Sequence, residues 1–369
     1  MKLTIPDYIQ AIDPYVPGKP LEELERESGI TDSVKLASNE NPLGPSPMAL
    51  AAIQRCLSTL HRYPDGAAHH LTGKIARFNG VSAANVVVGN GSDDIIALLV
   101  RALVRPGNRV IVPRPSFLMY AITAAAAGAV VDAVPLDPSL AMDLDAMARC
   151  VTADTRLIFL CNPNNPTGTV VTRSDFDRFM DQIPDGVVVV VDEAYIEFAR
   201  HSDCLKTGGP RDVTRPQVTL RTFSKAYGLA GLRVGYGIMP AALAEVLNRV
   251  RQPFNVSAVA QAAAAAALDD RAFVRRTIAL VHRELAVLYS GLDRLGLNYF
   301  KTEANFFLIE VGMPAQTLFD DLLRQGVIVR SMKAYGFPTC IRISVGLEAE
   351  NRRFLQALET VLTGTGRSS

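Results

Sequence analysis

The chain has 369 residues, enough to bury a large core and to divide into two domains. Hydrophobic residues make up 49% and charged residues 20%, and the formal net charge of +1 gives no electrostatic basis for binding nucleic acid or an anionic membrane. The five scattered cysteines and five histidines show no metal-ligand spacing, and no stretch has the apolar length of a membrane span or a signal peptide. We therefore expect a cytoplasmic enzyme without a metal.

The N-terminal segment, residues 1–47, is rich in proline and has little periodicity. It is too long for a simple connector, so we predict an arm that packs across the rest of the protein or a partner subunit and forms part of a small domain.

Residues 48–249 alternate short β-rich runs with segments of helix length. Such alternation predicts a large α/β domain with a mostly parallel, seven-stranded sheet covered by helices on both faces. The predicted strands are 85–89, 109–112, 130–134, 157–160, 187–191, 218–221 and 234–238, and helices are predicted at 92–104, 117–127, 144–148 and 174–182.

The pattern changes near residue 250, where longer helical segments begin. Residues 250–369 are predicted to form a smaller α+β domain. Its predicted helices are 258–268, 270–295, 315–325 and 349–362, and its predicted strands are 298–300, 306–310, 327–330 and 341–344.

The turn between the first predicted strand and its helix has the composition of a phosphate-binding loop. It contains Gly91, Ser92 and Asp93. Glycine permits close backbone approach, and the free N–H groups at a helix start attract anions, although the same residues also suit a plain helix cap. Ser224 and Arg233 add a hydroxyl and a fixed cation from a later segment, and each charge-assisted hydrogen bond contributes about 1.5–3 kcal/mol. Together these residues favour a phosphate group as the ligand.

Lys225 is surrounded in sequence by small residues, which is unlike an ordinary solvated charge. Its amine can form a Schiff base with an aldehyde and, once released, can act as the base at a substrate α-carbon. Asp192, at the end of a predicted strand, can pair with a protonated ring nitrogen, or it can cap the following turn together with Glu193. A reactive lysine and a pyridinium partner are the marks of a pyridoxal phosphate (PLP) site.

Five further residues are candidates for contacts with the ring and the substrate. Tyr195 and Asn165 can hydrogen-bond the ring 3′-oxygen, although the composition around Asn165 predicts a turn in any case. Phe117 can stack on the ring or belong to the core. Arg330 and Arg342 can clamp a carboxylate or phosphate, and the otherwise apolar strand around Arg342 favours it over Arg330 for this role.

These motifs, in this order, resemble fold-type I PLP enzymes and, within them, the histidinol-phosphate aminotransferase family. Single motifs are common, whereas the ordered set is specific and spans nearly the whole chain. The segments that carry the resemblance are 38–45, 62–66, 89–94, 162–168, 192–198, 224–237, 304–306 and 342–346.

The resemblance implies a homodimer with active sites at the subunit interface. Tyr63 would reach the cofactor phosphate of the other subunit, and Tyr15 and Asn41 would help to enclose the substrate. Arg342 would bind the α-carboxylate of glutamate, and Arg330, with Arg342 and Tyr15, would meet the phosphate of histidinol phosphate. The implied reaction converts histidinol phosphate and 2-oxoglutarate to imidazole-acetol phosphate and glutamate in histidine biosynthesis.

Two departures from the family pattern leave the substrate open. Phe117 stands where a tyrosine is common, and the loop 333–338 resembles relatives that favour aromatic amino acids. The alternatives are a phenylalanine or tyrosine aminotransferase, a PLP decarboxylase of a phosphorylated amino acid, and a PLP-binding regulator without catalysis. The near-neutral charge disfavours the regulator.

Overall fold

The computed structural model describes residues 3–364, in which helices and strands alternate along most of the chain. The helices are α1 (Asp7–Gln10), α2 (Leu21–Ser28), α3 (Pro47–Cys56), α4 (His69–Asn79), α5 (Ser92–Leu103), α6 (Met119–Ala126), α7 (Leu144–Arg149), α8 (Arg173–Met180), α9 (Ala241–Val250), α10 (Ala258–Asp269), α11 (Arg271–Arg294), α12 (Ala315–Arg324) and α13 (Glu348–Gly364). The strands are β1 (Val34–Lys35), β2 (Val86–Gly89), β3 (Arg109–Arg114), β4 (Val130–Pro135), β5 (Thr155–Cys161), β6 (Val188–Asp192), β7 (Gln217–Thr222), β8 (Gly235–Ile238), β9 (Asn298–Tyr299), β10 (Phe306–Glu310), β11 (Val327–Ile328), β12 (Arg330–Ser331) and β13 (Cys340–Ser344). Within residues 3–364 no helix combines the length and apolarity that crossing a bilayer requires.

The large sheet has seven strands in the order β2-β8-β7-β6-β5-β3-β4. β8 runs antiparallel to both of its neighbours, and the other adjacent pairs are parallel. Consecutive residues of the central strands enter different apolar clusters: Phe159 packs on one face of the sheet and Ile158 on the other. Burial on both faces explains why these strands are continuous apolar runs. The predicted mostly parallel, seven-stranded sheet is confirmed, and each strand lies within two residues of its predicted bounds.

A second sheet, of four antiparallel strands in the order β12-β13-β10-β9, forms from the C-terminal part of the chain. Its central strands β10 and β13 are almost completely buried, and the predicted helices of this region are all present.

The predicted strand 327–330 is wrong as a single element. β11 pairs in parallel with β1 of the N-terminal segment, whereas β12 pairs with β13. The chain changes partner between the two strands, and the register places Arg330 directly opposite Arg342. The N-terminal segment also forms the helices α1 and α2, which its composition does not predict.

The ends of several strands meet at one edge of the large sheet. The register pairs Cys161 with Asp192 at the carboxyl ends of β5 and β6, and Thr222 with Gly235 at the end of β7. Ligands of open α/β sheets bind outside the carboxyl ends of the strands, so this edge is the place to seek a site.

Candidate active site

The N-terminus of α5 offers a place for an anion. Gly91 precedes this helix with a φ of +81°, and within the described part of the chain no side chain caps the first turn. Its N–H groups and the positive end of the helix dipole are therefore free to interact with a negative group. A Cβ atom on Gly91 would lie 2.6 Å from Nη2 of Arg233, and one on Gly235 would lie 2.5 Å from the amide nitrogen of Ser92. Glycine at both positions allows the three segments to approach closely.

Arg233 and Ser224 lie beside this helix start. Nη1 of Arg233 is 3.5 Å from Oγ of Ser224 and donates to the carbonyl oxygen of Ala230 at 3.1 Å. Its Nη2 is 3.6 Å from a carboxylate oxygen of Asp93, whose pKa is raised by burial. A cation, two serine hydroxyls and the amides of a helix start thus converge, and this set of donors suits a phosphate group.

Lys225 follows β7 and its half-buried side chain points into the site. Nζ donates to the carbonyl oxygen of Ser38 at 3.0 Å and lies 5.7 Å from the centre of the Tyr195 ring. Burial, with the nearby positive charge of Arg342, lowers the pKa of Lys225 to about 8. A larger fraction of this amine is therefore neutral near pH 8 than for an exposed lysine, and only a neutral amine is a nucleophile or base.

Asp192 ends β6 and is only 3% exposed. The Tyr120 hydroxyl donates to its Oδ2 at 2.7 Å, and the backbone N–H of Ala194 donates to its Oδ1 at 3.1 Å. Burial raises the pKa of Asp192 to about 6, and the hydrogen bond from Tyr120 acts in the opposite direction. The carboxylate therefore stays largely ionised at neutral pH and can pair with a buried cation.

Tyr120 is a site residue that the sequence analysis missed. It lies on α6, stacked on Phe159 with ring centres 4.7 Å apart, and it contacts the edge of Phe117 at 5.4 Å. In the predicted helix 117–127, Tyr120 lies three residues after Phe117 and therefore on the same face. This spacing is the sequence signal that could have identified Tyr120. An aromatic residue in an apolar segment nevertheless resembles core, and only the tertiary structure shows its hydroxyl on Asp192.

Arg342 is buried and reaches across to the large sheet. Nη1 donates to Oδ1 of Asn165 at 2.5 Å and Nη2 donates to the carbonyl oxygen of Ala37 at 2.8 Å, while the guanidinium lies 5.0 Å from the ring centre of Phe306. Among residues 3–364, Nε of Arg342 finds no hydrogen-bond partner. A buried guanidinium with an unpaired N–H retains the capacity to bind an anion.

These side chains surround a cavity of about 230 Å³. The predicted site residues that line it are Ser92, Asp93, Phe117, Asn165, Asp192, Tyr195, Ser224, Lys225 and Arg233. The cavity is also lined by Ser38, Glu40, Cys161, Ala194, Thr222 and Ala230, which the sequence analysis did not assign to the site. Cys161 and Thr222 end β5 and β7, so their place in the cavity depends on the register of the sheet.

Arg330 and Tyr15 lie together outside this cavity. The Arg330 guanidinium is 5.6 Å from the centre of the Tyr15 ring, and its Nη2 donates to the carbonyl oxygen of Val16 at 2.6 Å. The N-terminal segment is thus attached to the strand that runs beside Arg342.

Tyr63 and Asn41 occupy different surroundings. Tyr63 is 84% exposed and stacks on Phe254, with ring centres 4.8 Å apart. The Asn41 amide donates to the carbonyl oxygen of Ala226 at 3.0 Å and to the Thr277 hydroxyl at 3.1 Å. Neither residue lines the cavity within the single chain that the structure describes from residue 3 to 364.

Comparison with known proteins agrees with this geometry. Residues 31–358 match the model of the family described as aminotransferase class I and II. The chain is 48% identical over 357 residues to histidinol-phosphate aminotransferase 2 of Pseudomonas aeruginosa, covering 96% of each chain. It is 46% identical over 355 residues to histidinol-phosphate aminotransferase 2 of Carboxydothermus hydrogenoformans, covering 96% of this chain and 98% of the relative.

A solved structure shares the fold. The histidinol-phosphate aminotransferase of Sinorhizobium meliloti, crystallised in complex with pyridoxal-5′-phosphate, superimposes with a TM-score of 0.88 at 29% sequence identity. The match covers 97% of each chain. The architecture is therefore that of the fold-type I PLP enzymes.

Proposed function

The chain belongs to the class I and II aminotransferase family, and from this premise we propose that it is a PLP-dependent histidinol-phosphate aminotransferase. The proposed reaction moves the amino group of histidinol phosphate to 2-oxoglutarate, within histidine biosynthesis. The single observation that carries the proposal is the convergence of Lys225, Asp192 and the anion-binding start of α5 on one cavity.

The residues present fit pyridoxal phosphate. Gly91 lets Arg233 approach the α5 start, and Gly235 lets the end of β7 approach it, so that the amides, Ser224 and Arg233 form a close-fitting set of phosphate donors. Asp192 supplies a buried carboxylate for a ring cation in the same cavity. Phe117 lines the cavity as an apolar face against which a planar ring can pack.

When bound, pyridoxal phosphate supplies an aldehyde that joins an amine covalently and a ring that withdraws electrons from the substrate α-carbon. Lys225 is the amine within reach, and its lowered pKa allows Nζ to accept the proton from the α-carbon and later return it. Asp192 would keep the ring nitrogen of the bound cofactor protonated. Tyr195 and Asn165 orient the ring through its oxygen substituent, and Arg342, already bonded to Asn165, is placed to bind a substrate carboxylate.

The substrate assignment rests on cations beyond the cavity. Transamination uses one site for two successive substrates, so the site must accept the phosphate ester histidinol phosphate and then the dicarboxylate 2-oxoglutarate. Arg330 and Arg342 lie opposite each other on neighbouring strands, so two guanidinium groups are available for these anions, with Tyr15 held beside Arg330. The 46–48% identity to relatives named as histidinol-phosphate aminotransferases supports the same substrate.

An assay of amino donors tests the substrate. Turnover of histidinol phosphate, phenylalanine, tyrosine and aspartate is compared for the wild type and Arg330→Ala, with Arg324→Ala as a control that removes an exposed cation from α12. We expect histidinol phosphate to be preferred, and Arg330→Ala to reduce its turnover at least tenfold more than that of phenylalanine, consistent with the loss of a charge-assisted hydrogen bond. Equal losses for both donors would contradict phosphate recognition by Arg330.

An aromatic aminotransferase is the second candidate. Another cavity, lined in part by Phe117, Leu118 and Tyr335, offers apolar walls for an aromatic side chain. A preference for phenylalanine or tyrosine over histidinol phosphate in the same assay would establish it. Release of carbon dioxide from a phosphorylated amino acid would instead identify a decarboxylase.

The proposal includes a homodimer in which Tyr63 serves the site of the partner subunit. The exposure of its ring supports this arrangement. Mixing inactive Tyr63→Ala and Lys225→Ala subunits then creates hybrid dimers with one intact site, so activity is expected to return. No recovery after subunit exchange would count against a shared site.

A cytoplasmic location belongs to the same proposal, and it is supported by the five cysteines, all within residues 3–364 and none in a disulfide.

A further inference from the structure

Asn39 has an unusual backbone conformation beside the cavity. It is 2% exposed and has a φ of +56°, in the left-handed region. Residues other than glycine rarely adopt this conformation, asparagine tolerates it best, and such residues cluster at functional sites. Its neighbours Ser38 and Glu40 both line the cavity.

Every polar group of Asn39 has a buried partner. The backbone N–H donates to Oγ of Ser344 at 2.7 Å, and the carbonyl oxygen accepts from Nδ2 of Asn305 at 3.1 Å. In the side chain, Oδ1 accepts from the Ser344 hydroxyl at 3.0 Å and Nδ2 donates to the Tyr195 hydroxyl at 3.1 Å. Asn39 therefore joins Tyr195, next to the large sheet, to two residues of the four-stranded sheet region.

The network determines which way the Asn39 amide faces. The Ser344 hydroxyl accepts the Asn39 backbone N–H and donates its own hydrogen to Oδ1, so the amide NH₂ faces Tyr195. The Tyr195 hydroxyl is thereby an acceptor on the Asn39 side. Its own hydrogen is left to donate in another direction, and Tyr195 lines the cavity.

We propose that Asn39 is a positioning residue for Tyr195: its amide directs the Tyr195 O–H into the cavity, and Ser344 and Asn305 hold that amide in place. The inference rests on the proposed function, in which Tyr195 donates to the oxygen substituent of the cofactor ring. Ser344 belongs to the four-stranded sheet, so a displacement of Ser344 would move the Asn39 amide and thereby change the orientation of the Tyr195 hydroxyl.

Two substitutions at Asn39 distinguish the effect of its side-chain amide from the effect of its backbone conformation. Asn39→Gly accepts the positive φ and removes the amide, whereas Asn39→Asp keeps the shape and presents an acceptor that draws the Tyr195 O–H away from the cavity. The readout is the pH midpoint of the visible absorption change of the holoenzyme. Loss of an oriented donor to the ring oxygen favours the protonated chromophore, so we expect the midpoint to rise by about one pH unit, a tenfold change in the equilibrium. The shift in Asn39→Asp is expected to be at least as large as in Asn39→Gly.

A double-mutant cycle tests whether Asn39 acts through Tyr195. Tyr195→Phe should move the midpoint by itself, and adding Asn39→Gly should then change it by less than about a third of a unit. If the two shifts add, Asn39 acts by another route and the inference is overturned. Ser344→Ala replaces this test if Asn39→Gly fails to fold, because it leaves Asn39 in place. We expect Ser344→Ala to raise the midpoint by a smaller amount. An unchanged midpoint in Ser344→Ala would also overturn the inference.

Asn351→Ala is the matched control for loss of a buried asparagine. Asn351 bonds Glu284 and both backbone groups of Gly346, away from the cavity, so its loss should lower the melting temperature without moving the midpoint. A wild type that shows no visible band after incubation with pyridoxal phosphate would refute the proposed function itself. A normal wild-type transition with unchanged Asn39 variants would refute only the role of Asn39.

Discussion

Replacing Asp192 by asparagine should stabilise the apoprotein while damaging the enzyme. The carboxylate is buried, and its pKa is raised from 3.8 to about 6 because burial disfavours the charge. In Asp192→Asn, Oδ1 can still accept from the Ala194 N–H, and the new NH₂ group faces the Tyr120 hydroxyl, which can rotate to accept. The substitution thus removes a buried charge without leaving these two partners unpaired.

The pH dependence follows from the direction of the shift. The folded chain binds this proton more tightly than the unfolded chain does, so ionisation costs folding free energy above the folded pKa of about 6 and costs nothing below 3.8. A shift of about two units corresponds to about 3 kcal/mol at pH 7.5 and to roughly half of that at pH 5. Asp192→Asn should therefore exceed the wild type in stability at pH 7.5, and its advantage should shrink as the pH falls.

Thermal unfolding of the two apoproteins between pH 5 and 8 measures this difference. Asp185→Asn, which changes an exposed carboxylate, is the control and should follow the wild type. Turnover of the PLP-loaded Asp192→Asn enzyme should fall by orders of magnitude, because the ring nitrogen loses its charged partner. An apoprotein that is less stable than the wild type by an amount independent of pH would refute the assignment of Asp192 as a destabilising buried charge.

Three further substitutions probe separate parts of the molecule. Lys225→Ala should fold normally but show no turnover, and borohydride reduction with peptide mapping should label Lys225 in the wild type; label on another lysine would contradict its role. Glu193→Ala removes the buried partner of Arg221 at 2.7 Å and should cost about 3 kcal/mol in urea unfolding, against less than about 0.5 kcal/mol for the exposed Glu245→Ala. Gly91→Ala places a methyl group 2.6 Å from a guanidinium nitrogen at a φ of +81°, so PLP titration of the apoprotein should show affinity reduced at least tenfold; unchanged affinity would exclude a close fit there.

Local patterns were sufficient for the strands of the large sheet and for selecting most of the predicted residues that line the cavity. A strand buried on both faces is largely apolar, and Asp192 stands out as a charge directly after such a run, whereas Lys225 stands out as a charge among small residues. The same reasoning could not divide 327–330 into two strands, because the partner of β11 lies in the N-terminal segment, nearly 300 residues away, and pairing over that distance leaves no mark in the local sequence.

The sequence by itself determined the fold class and most of the residues that gather at the cavity, since these depend on residue type and on spacing along the chain. The tertiary structure decided which groups form hydrogen bonds with these residues: Tyr120 donates to Asp192, Asn39 to Tyr195, and Arg342 to Asn165. Each of these contacts joins residues 72 to 177 positions apart. Hydrogen bonds depend on distances of about 3 Å, which only the packed structure specifies.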